Sequence, residues 1–197
     1  MKMEIKKPEK CGWCTGDELY EKYHDEEWGK PVMDDAKLFE FLTLETFQAG
    51  LSWVTILHKR ENFRRALDNF DYRKIAKYGH TKIKALLQDS GIVRHQLKIK
   101  ATITNAIAFM GIQHEYGSFS KYIWGFVDGK PIVNRFEDYR NVPANTELSD
   151  KISKDLKKRG FKFVGSTIVY SLMQAAGMVN DHEISCFKYN QVAKIKR

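Results

Sequence analysis

Cysteine and histidine have the most specific chemistry in this chain, and several of them fall at metal-ligand spacing. Cys11-Gly12-Trp13-Cys14 is a C-x2-C pair, and His24 follows after a short polar helix. His182-Glu183-Ile184-Ser185-Cys186 sets a histidine and a cysteine four residues apart, on one face if the segment is helical. Two thiolates and two neutral imidazoles make a tetrahedral zinc set with no net charge at the metal. Spacing permits either Cys11, Cys14, His182 and Cys186, with three thiolates, or Cys11, His24, His182 and Cys186, with two thiolates and two imidazoles. Either set would tie the two ends of the chain together.

A second candidate is an acid in an apolar run. Glu45 lies within Phe41-Leu42-Thr43-Leu44-Glu45-Thr46-Phe47, and Trp53 follows just past Gly50. Trp13, Tyr20, Tyr23 and Trp28 crowd the N-terminal segment. An acid among aromatic rings suits a flat ligand that is cationic or donates hydrogen bonds, held by stacking and cation–π attraction. The same pattern also fits a helix-boundary acid beside core aromatics.

A third is Lys157-Lys158-Arg159-Gly160-Phe161-Lys162-Phe163-Val164-Gly165-Ser166-Thr167, a tight connection between two apolar-faced helices. The second helix starts directly after Gly165, so its unpaired backbone N–H groups and positive dipole end can hold a phosphate. With the basic residues beside it, this arrangement can grip a DNA backbone without reading bases. An ordinary turn with solvated lysines fits the segment as well.

Such groups act only if the chain positions them. Its 197 residues are enough to bury a core, and 43% apolar, 13% aromatic and 29% charged residues describe a globular chain. No apolar run approaches the roughly 18–20 residues of a membrane span. The N-terminus is charged and lacks a signal-peptide core, and three cysteines give no disulfide framework, which points to a reduced, cytoplasmic protein. Thirty-three Lys and Arg against 25 Asp and Glu leave +8, which suits a polyanionic partner.

Periodicity predicts an all-α chain. Asp34 or Asp35 caps a helix through Leu38, Phe41 and Leu44 that ends near Gly50, and a second runs from about Val54 to Leu67. Short helices start at Asp71 and Thr81. A longer one runs from Arg94 to about Met110, with Leu97, Ile99, Ile103, Ala106 and Ile107 on its buried face. Phe119 to Phe126 form another, and residues 131–147 read as an extended connection. Ser149 opens a helix that stops before Gly160, and Ser166 or Thr167 caps one reaching Gly177. Residues 190–197 read as a frayed basic tail.

Cys11-Gly12-Trp13, Tyr23-His24-Asp25-Glu26-Glu27-Trp28-Gly29 and Leu44-Glu45-Thr46-Phe47-Gln48-Ala49-Gly50-Leu51-Ser52-Trp53 begin one ordered set. Gly91-Ile92-Val93-Arg94-His95, Lys158-Arg159-Gly160-Phe161-Lys162-Phe163-Val164-Gly165 and Asn180-Asp181-His182 complete it. Across these motifs, from about Cys11 to Cys186, the chain closely resembles the DNA-3-methyladenine glycosylase I family of alkylation-repair enzymes. The resemblance implies an all-α fold of the helix-hairpin-helix DNA glycosylase type. Residues 1–10 would be an N-terminal extension, 11–189 a single helical domain and 190–197 a basic tail. It implies one structural Zn2+ on Cys11, His24, His182 and Cys186, with Cys14 a bystander.

It further implies a base pocket with Glu45 as the catalytic residue, Tyr23 and Trp53 on the base, and Trp13, Tyr20 and Trp28 around them. Lys158, Arg159, Lys162, Gly165 and Ser166 would contact DNA. Bifunctional members of the superfamily carry a nucleophilic lysine just after the hairpin. Ser166 and Thr167 stand there instead, which implies hydrolysis of the N-glycosidic bond of 3-methyladenine without strand cleavage. The implied partners are double-stranded DNA containing alkylated bases and 3-methyladenine as product, with no membrane and a monomeric state. Asp181 lies near a position where many superfamily members place a catalytic aspartate. This family is described as lacking that residue, so Asp181 stays outside the catalytic set.

Overall fold

The computed structural model describes residues 9–193; residues 1–8 of the predicted 1–10 extension and 194–197 of the predicted 190–197 tail lie outside the described residues. α2 (Asp35–Gln48) is the centre of the packing. Asp34 caps it by accepting from the Lys37 N–H, and every residue from Leu38 to Phe47 is buried. A helix buried all round its circumference lies inside rather than on a surface, and the polar residues it takes in with it are Glu40, Thr43, Glu45 and Thr46. Around it lie α3 (Trp53–Ala66), α6 (Gln96–Tyr116), α7 (Phe119–Gly125) and α9 (Ser166–Ala175). α1 (Glu18–Glu26) rests on α3, while α4 (Tyr72–Ile75) and α5 (His80–Gln88) pack on α6. α8 (Glu147–Lys158) pairs with α9. Among the described residues, no helix is long and apolar enough to cross a membrane.

Several boundaries differ from the periodicity, each for a local reason. α6 continues past Met110 to Tyr116 and stops at Gly117, which takes a left-handed φ of +83°. Gly111 does not end it, because an interior glycine costs only about 1 kcal/mol and Phe109 and Ile112 are buried on either side. Leu97 and Ile107, expected on the buried face of α6, are exposed. α8 starts before Ser149, since Thr146 is the cap and forms a reciprocal capping box with Ser149. The cap of α9 is Gly165, not Ser166 or Thr167; the Ser166 hydroxyl instead pairs with that of Ser149 at 2.8 Å.

The stretch 131–147 is not wholly irregular. β1 (Ile132–Val133) pairs in parallel with β2 (Val179–Asn180), and a further bridge joins Phe136 to Glu183. Strands this short leave no alternation to detect. Nor is the segment from residue 190 simply frayed: α10 (Tyr189–Ala193) forms there, and Val192 is buried.

Gly177 shows how tightly the returning chain packs. Its φ is +69°, and an added Cβ would lie 2.3 Å from the Lys30 carbonyl carbon and 2.5 Å from the Pro31 nitrogen. Gly177→Ala is expected to cost about 2–4 kcal/mol through strain and overpacking. A lower urea midpoint with an unchanged slope checks this.

Candidate active site and metal centre

Four ligand atoms from the two ends of the chain converge. Cys11 precedes a 3-10 turn (Gly12–Cys14), His24 lies in the last turn of α1, and His182 and Cys186 follow β2. All four residues are buried, and their ligand atoms lie within 4.8 Å of one another. Cys11 Sγ is 3.4 Å from His182 Nδ1, Cys186 Sγ is 3.7 Å from the same nitrogen, and Cys186 Sγ is 3.5 Å from His24 Nε2. A tetrahedron with zinc's bond lengths has edges of about 3.3–3.8 Å, so the spacing fits such an ion. His24 Nδ1 pairs with Asp25 Oδ1 at 2.8 Å, leaving Nε2 to face the thiols, and Asp25 is held by the Lys10 ammonium at 2.8 Å. A carboxylate behind a histidine ligand fixes its ring and tautomer. The Cys14 thiol donates to the Cys11 carbonyl at 3.1 Å and is not among the converging donors.

An aromatic pocket lies against this cluster. Trp28 meets His182 edge-on at 4.6 Å, and Trp13 meets Trp28 at 4.8 Å and Tyr20 at 4.9 Å. Tyr23 from α1 and Trp53 from α3 stand 5.3 Å apart. Glu45 from α2, Tyr170 and Gln174 from α9, and Asp181 complete the walls of a cavity of about 270 Å3. That is slightly below the range of roughly 300–1,000 Å3 that holds drug-sized ligands; a single flat heterocycle suits it.

Glu45 is 2% exposed, and its Oε2 has no hydrogen-bond partner within the protein. Trp53 Nε1 and Thr46 Oγ1 are buried and unpartnered too. Burial pushes the Glu45 carboxyl up to about 8 from an ordinary 4.5, and burial likewise raises the Tyr23 phenol, with Glu45 adding to it. Buried polar groups normally have partners. An acceptor and an indole donor left waiting beside aromatic faces make a receptor for a planar base, and the acid in its ionised form favours a cationic one.

Comparison with known proteins agrees with this geometry. The sequence profile of the family described as methyladenine glycosylase matches residues 13–189. The chain belongs to the methyladenine glycosylase family. It is 49% identical over 181 residues to DNA-3-methyladenine glycosylase 1 of Escherichia coli (strain K12), spanning 92% of this chain and 97% of that protein. A crystal structure of 3-methyladenine DNA glycosylase I matches with a TM-score of 0.88 at 49% identity, covering 91% of this chain and 98% of the other. A crystal structure of a variant of another 3-methyladenine DNA glycosylase I, in complex with 3-methyladenine, matches with a TM-score of 0.89 at 37% identity, covering 95% of this chain and 98% of the other.

In this methyladenine glycosylase chain, Glu45, Tyr23, Trp53, Tyr20, Trp13 and Trp28 all line the one cavity. The basic turn is arranged less uniformly. Lys158 and Lys162 are exposed, and Gly165 and Ser166 form the start of α9. The Arg159 guanidinium is committed elsewhere: to Glu115 at 2.6 Å, Asp155 at 2.7 Å and the Tyr116 hydroxyl at 2.7 Å, over the rings of Tyr116 and Tyr122.

Sequence reasoning missed the far wall of the pocket: Tyr170, Gln174 and the segment around Tyr139 and Pro143. It also left Asp181 without a structural role. Asp181 accepts from Asn134 Nδ2 at 2.6 Å, the Tyr170 hydroxyl at 2.7 Å and Gln174 Nε2 at 2.8 Å, joining three segments behind the cavity. Tyr170 and Gln174 are four apart on α9, a helical pairing the sequence displays but whose partner it does not.

Proposed function

We propose that this protein excises 3-methyladenine from alkylated double-stranded DNA by hydrolysing its N-glycosidic bond. The observation that carries the reading is Glu45, an unpartnered acid sealed among aromatic rings. The family membership and the relative in complex with 3-methyladenine support it. N3-alkylation places a positive charge on adenine and makes it a good leaving group. The protein therefore has chiefly to extrude the nucleotide, at roughly a few kcal/mol of unstacking, and to recognise the base.

Tyr23 and Trp53 stack on the base, and Glu45 accepts from its exocyclic amine and favours the cationic form. The C1′–N bond breaks with its electron pair moving to the base, which leaves neutral. Water adds to the oxocarbenium-like sugar carbon and loses a proton to solvent, leaving an abasic site. Ser166 and Thr167 offer no amine to attack the sugar, so the strand stays intact.

The metal of this reading is one Zn2+ on Cys11, His24, His182 and Cys186, whose chemistry is structural. Four protein ligands close a tetrahedral site and leave no open position for substrate. It cross-links the ends of a single helical domain, residues 11–189, that acts as a cytoplasmic monomer. The turn between α8 and α9, the hairpin of the helix-hairpin-helix type, holds the DNA backbone through Lys158, Lys162 and the N–H groups that open α9.

Incubation with methylated duplex DNA, followed by chromatography, tests the activity. Free 3-methyladenine is expected without any added cofactor, with the strands intact. Absence of released base, or strand nicking at the product site, contradicts the reading. Replacing Lys158 and Lys162 with alanine is expected to flatten the slope of log affinity against log salt by about one per lysine, for all sequences alike. Titration at several salt concentrations checks this. Arg159→Ala is expected to act on stability, through the ion pairs that it makes with Glu115 and Asp155.

A further inference from the structure

α6 contributes no side chain to the pocket, yet two of its buried polar residues hold the backbone on either side of it. The Lys98 ammonium is buried and donates to the carbonyls of Phe47 at 2.8 Å and Ala49 at 2.6 Å. These carbonyls end α2, where helical partners run out and the dipole is negative. The connection fixed in this way, residues 49–52, joins Gln48 to Trp53, and both of those line the pocket. Packing alone does not call for a cation here, because burying one is costly unless it is paired or hydrogen-bonded.

Two turns further along the same face, the buried Asn105 makes a matched pair of bonds to the backbone of Lys162. Its Oδ1 accepts the Lys162 N–H at 2.8 Å, and its Nδ2 donates to the Lys162 carbonyl at 3.0 Å. The next residue, Phe163, has a φ of +55°, a left-handed conformation that an aromatic residue holds only when its surroundings impose it. Ser153 Oγ closes the turn by donating to the Val164 carbonyl at 2.6 Å. α9 then begins, carrying Thr167, Tyr170, Ser171 and Gln174 to the pocket wall.

We propose that Lys98 and Asn105 are positioning residues for DNA engagement. One face of α6 fixes the separation between the 49–52 connection and the 160–165 turn, so that a duplex gripped at the turn presents its extruded nucleotide over Glu45. This rests on the reading, given above, that the turn holds the duplex.

The test uses the full chain with Asn105→Ala and Lys98→Met. It measures duplex affinity across salt concentrations, affinity for free 3-methyladenine, and single-turnover base release. Asn105→Ala is expected to weaken duplex binding about tenfold and to reduce the salt slope by about one, although no charge is removed, because a misplaced turn loses a phosphate contact. Lys98→Met is expected to slow release from bound duplex by about tenfold to a hundredfold, the scale of a small misplacement remote from the reacting bond. Both variants are expected to bind the free base as the wild type does. If Asn105→Ala does not fold, Asn105→Ser, which retains a polar contact to Lys162, takes its place. A lowered melting temperature with wild-type duplex affinity, salt slope and release rate overturns the proposal. Failure of the underlying reading looks different: the salt slope is then insensitive to Lys158 and Lys162 themselves, and the proposal falls with it.

Discussion

Loss of His24 or Cys186 is expected to abolish zinc binding and to remove most of the folded protein with it. Cys11 and His24 sit near one end of the chain and His182 and Cys186 near the other, and all four are buried. An ion there closes a loop through nearly the whole fold. Structural zinc binds with an apparent free energy of about 10–16 kcal/mol in small folding units. Whole domains are stable by only about 5–15 kcal/mol, so one missing ligand is enough to unfold the chain. His24→Ala and Cys186→Ala are therefore expected to contain no zinc by elemental analysis and to melt far below the wild type. Any folded remainder is expected to keep much of its activity per molecule. Cys14→Ala is expected to retain one zinc, because that thiol points to the Cys11 carbonyl. Zinc lost with Cys14 and retained without His24 would reverse the assignment.

Glu45→Gln is the second large effect, and it acts in opposite directions on ligand and fold. The variant keeps the shape but removes the negative charge, so affinity for free 3-methyladenine is expected to fall by roughly 1–3 kcal/mol as a charge-assisted hydrogen bond is lost. Without ligand the wild-type carboxyl is a burden. Its folded pKa, about 8, lies above the ordinary 4.5. The folded chain therefore holds the proton more tightly than the unfolded one, and stability declines as pH rises from about 4.5 to about 8, then levels off. The full loss is on the order of 5 kcal/mol. Glu45→Gln is accordingly expected to melt above the wild type near pH 9 and level with it near pH 5, while binding the base more weakly where the wild-type carboxyl is ionised. Equal melts at high pH would place Glu45 in a wetter setting than the one described.

What was legible in the sequence follows from the range of the interactions. The buried face of α2 could be read because one helix carries its whole apolar pattern within 14 residues. The aromatic cluster and Glu45 were visible as residue types, but their shared cavity depends on α1, α2, α3 and α9 meeting. C-x2-C spacing left Cys14 and His24 as rivals, because spacing does not say that the Cys14 thiol turns back on its own turn. Arg159 reads as one more cation in a basic run, since the acid that captures it, Glu115, is 44 residues away. Asp181, next to a metal ligand, gives no sign of Asn134 reaching it from beyond β1.

The most direct test of the central claim, that the alkylated base packs against Tyr23 and Trp53 over Glu45, is a titration with 3-methyladenine followed by the indole N–H signals. The chain has four tryptophans. Trp13, Trp28 and Trp53 line the cavity, and Trp53 Nε1 lacks a partner; Trp124 Nε1 donates to the Val32 carbonyl at 2.8 Å, away from it. Saturable movement of the Trp53 signal with Trp13 and Trp28, while Trp124 stays in place, is the predicted result. A Trp53 signal that does not move while the base is bound would contradict it.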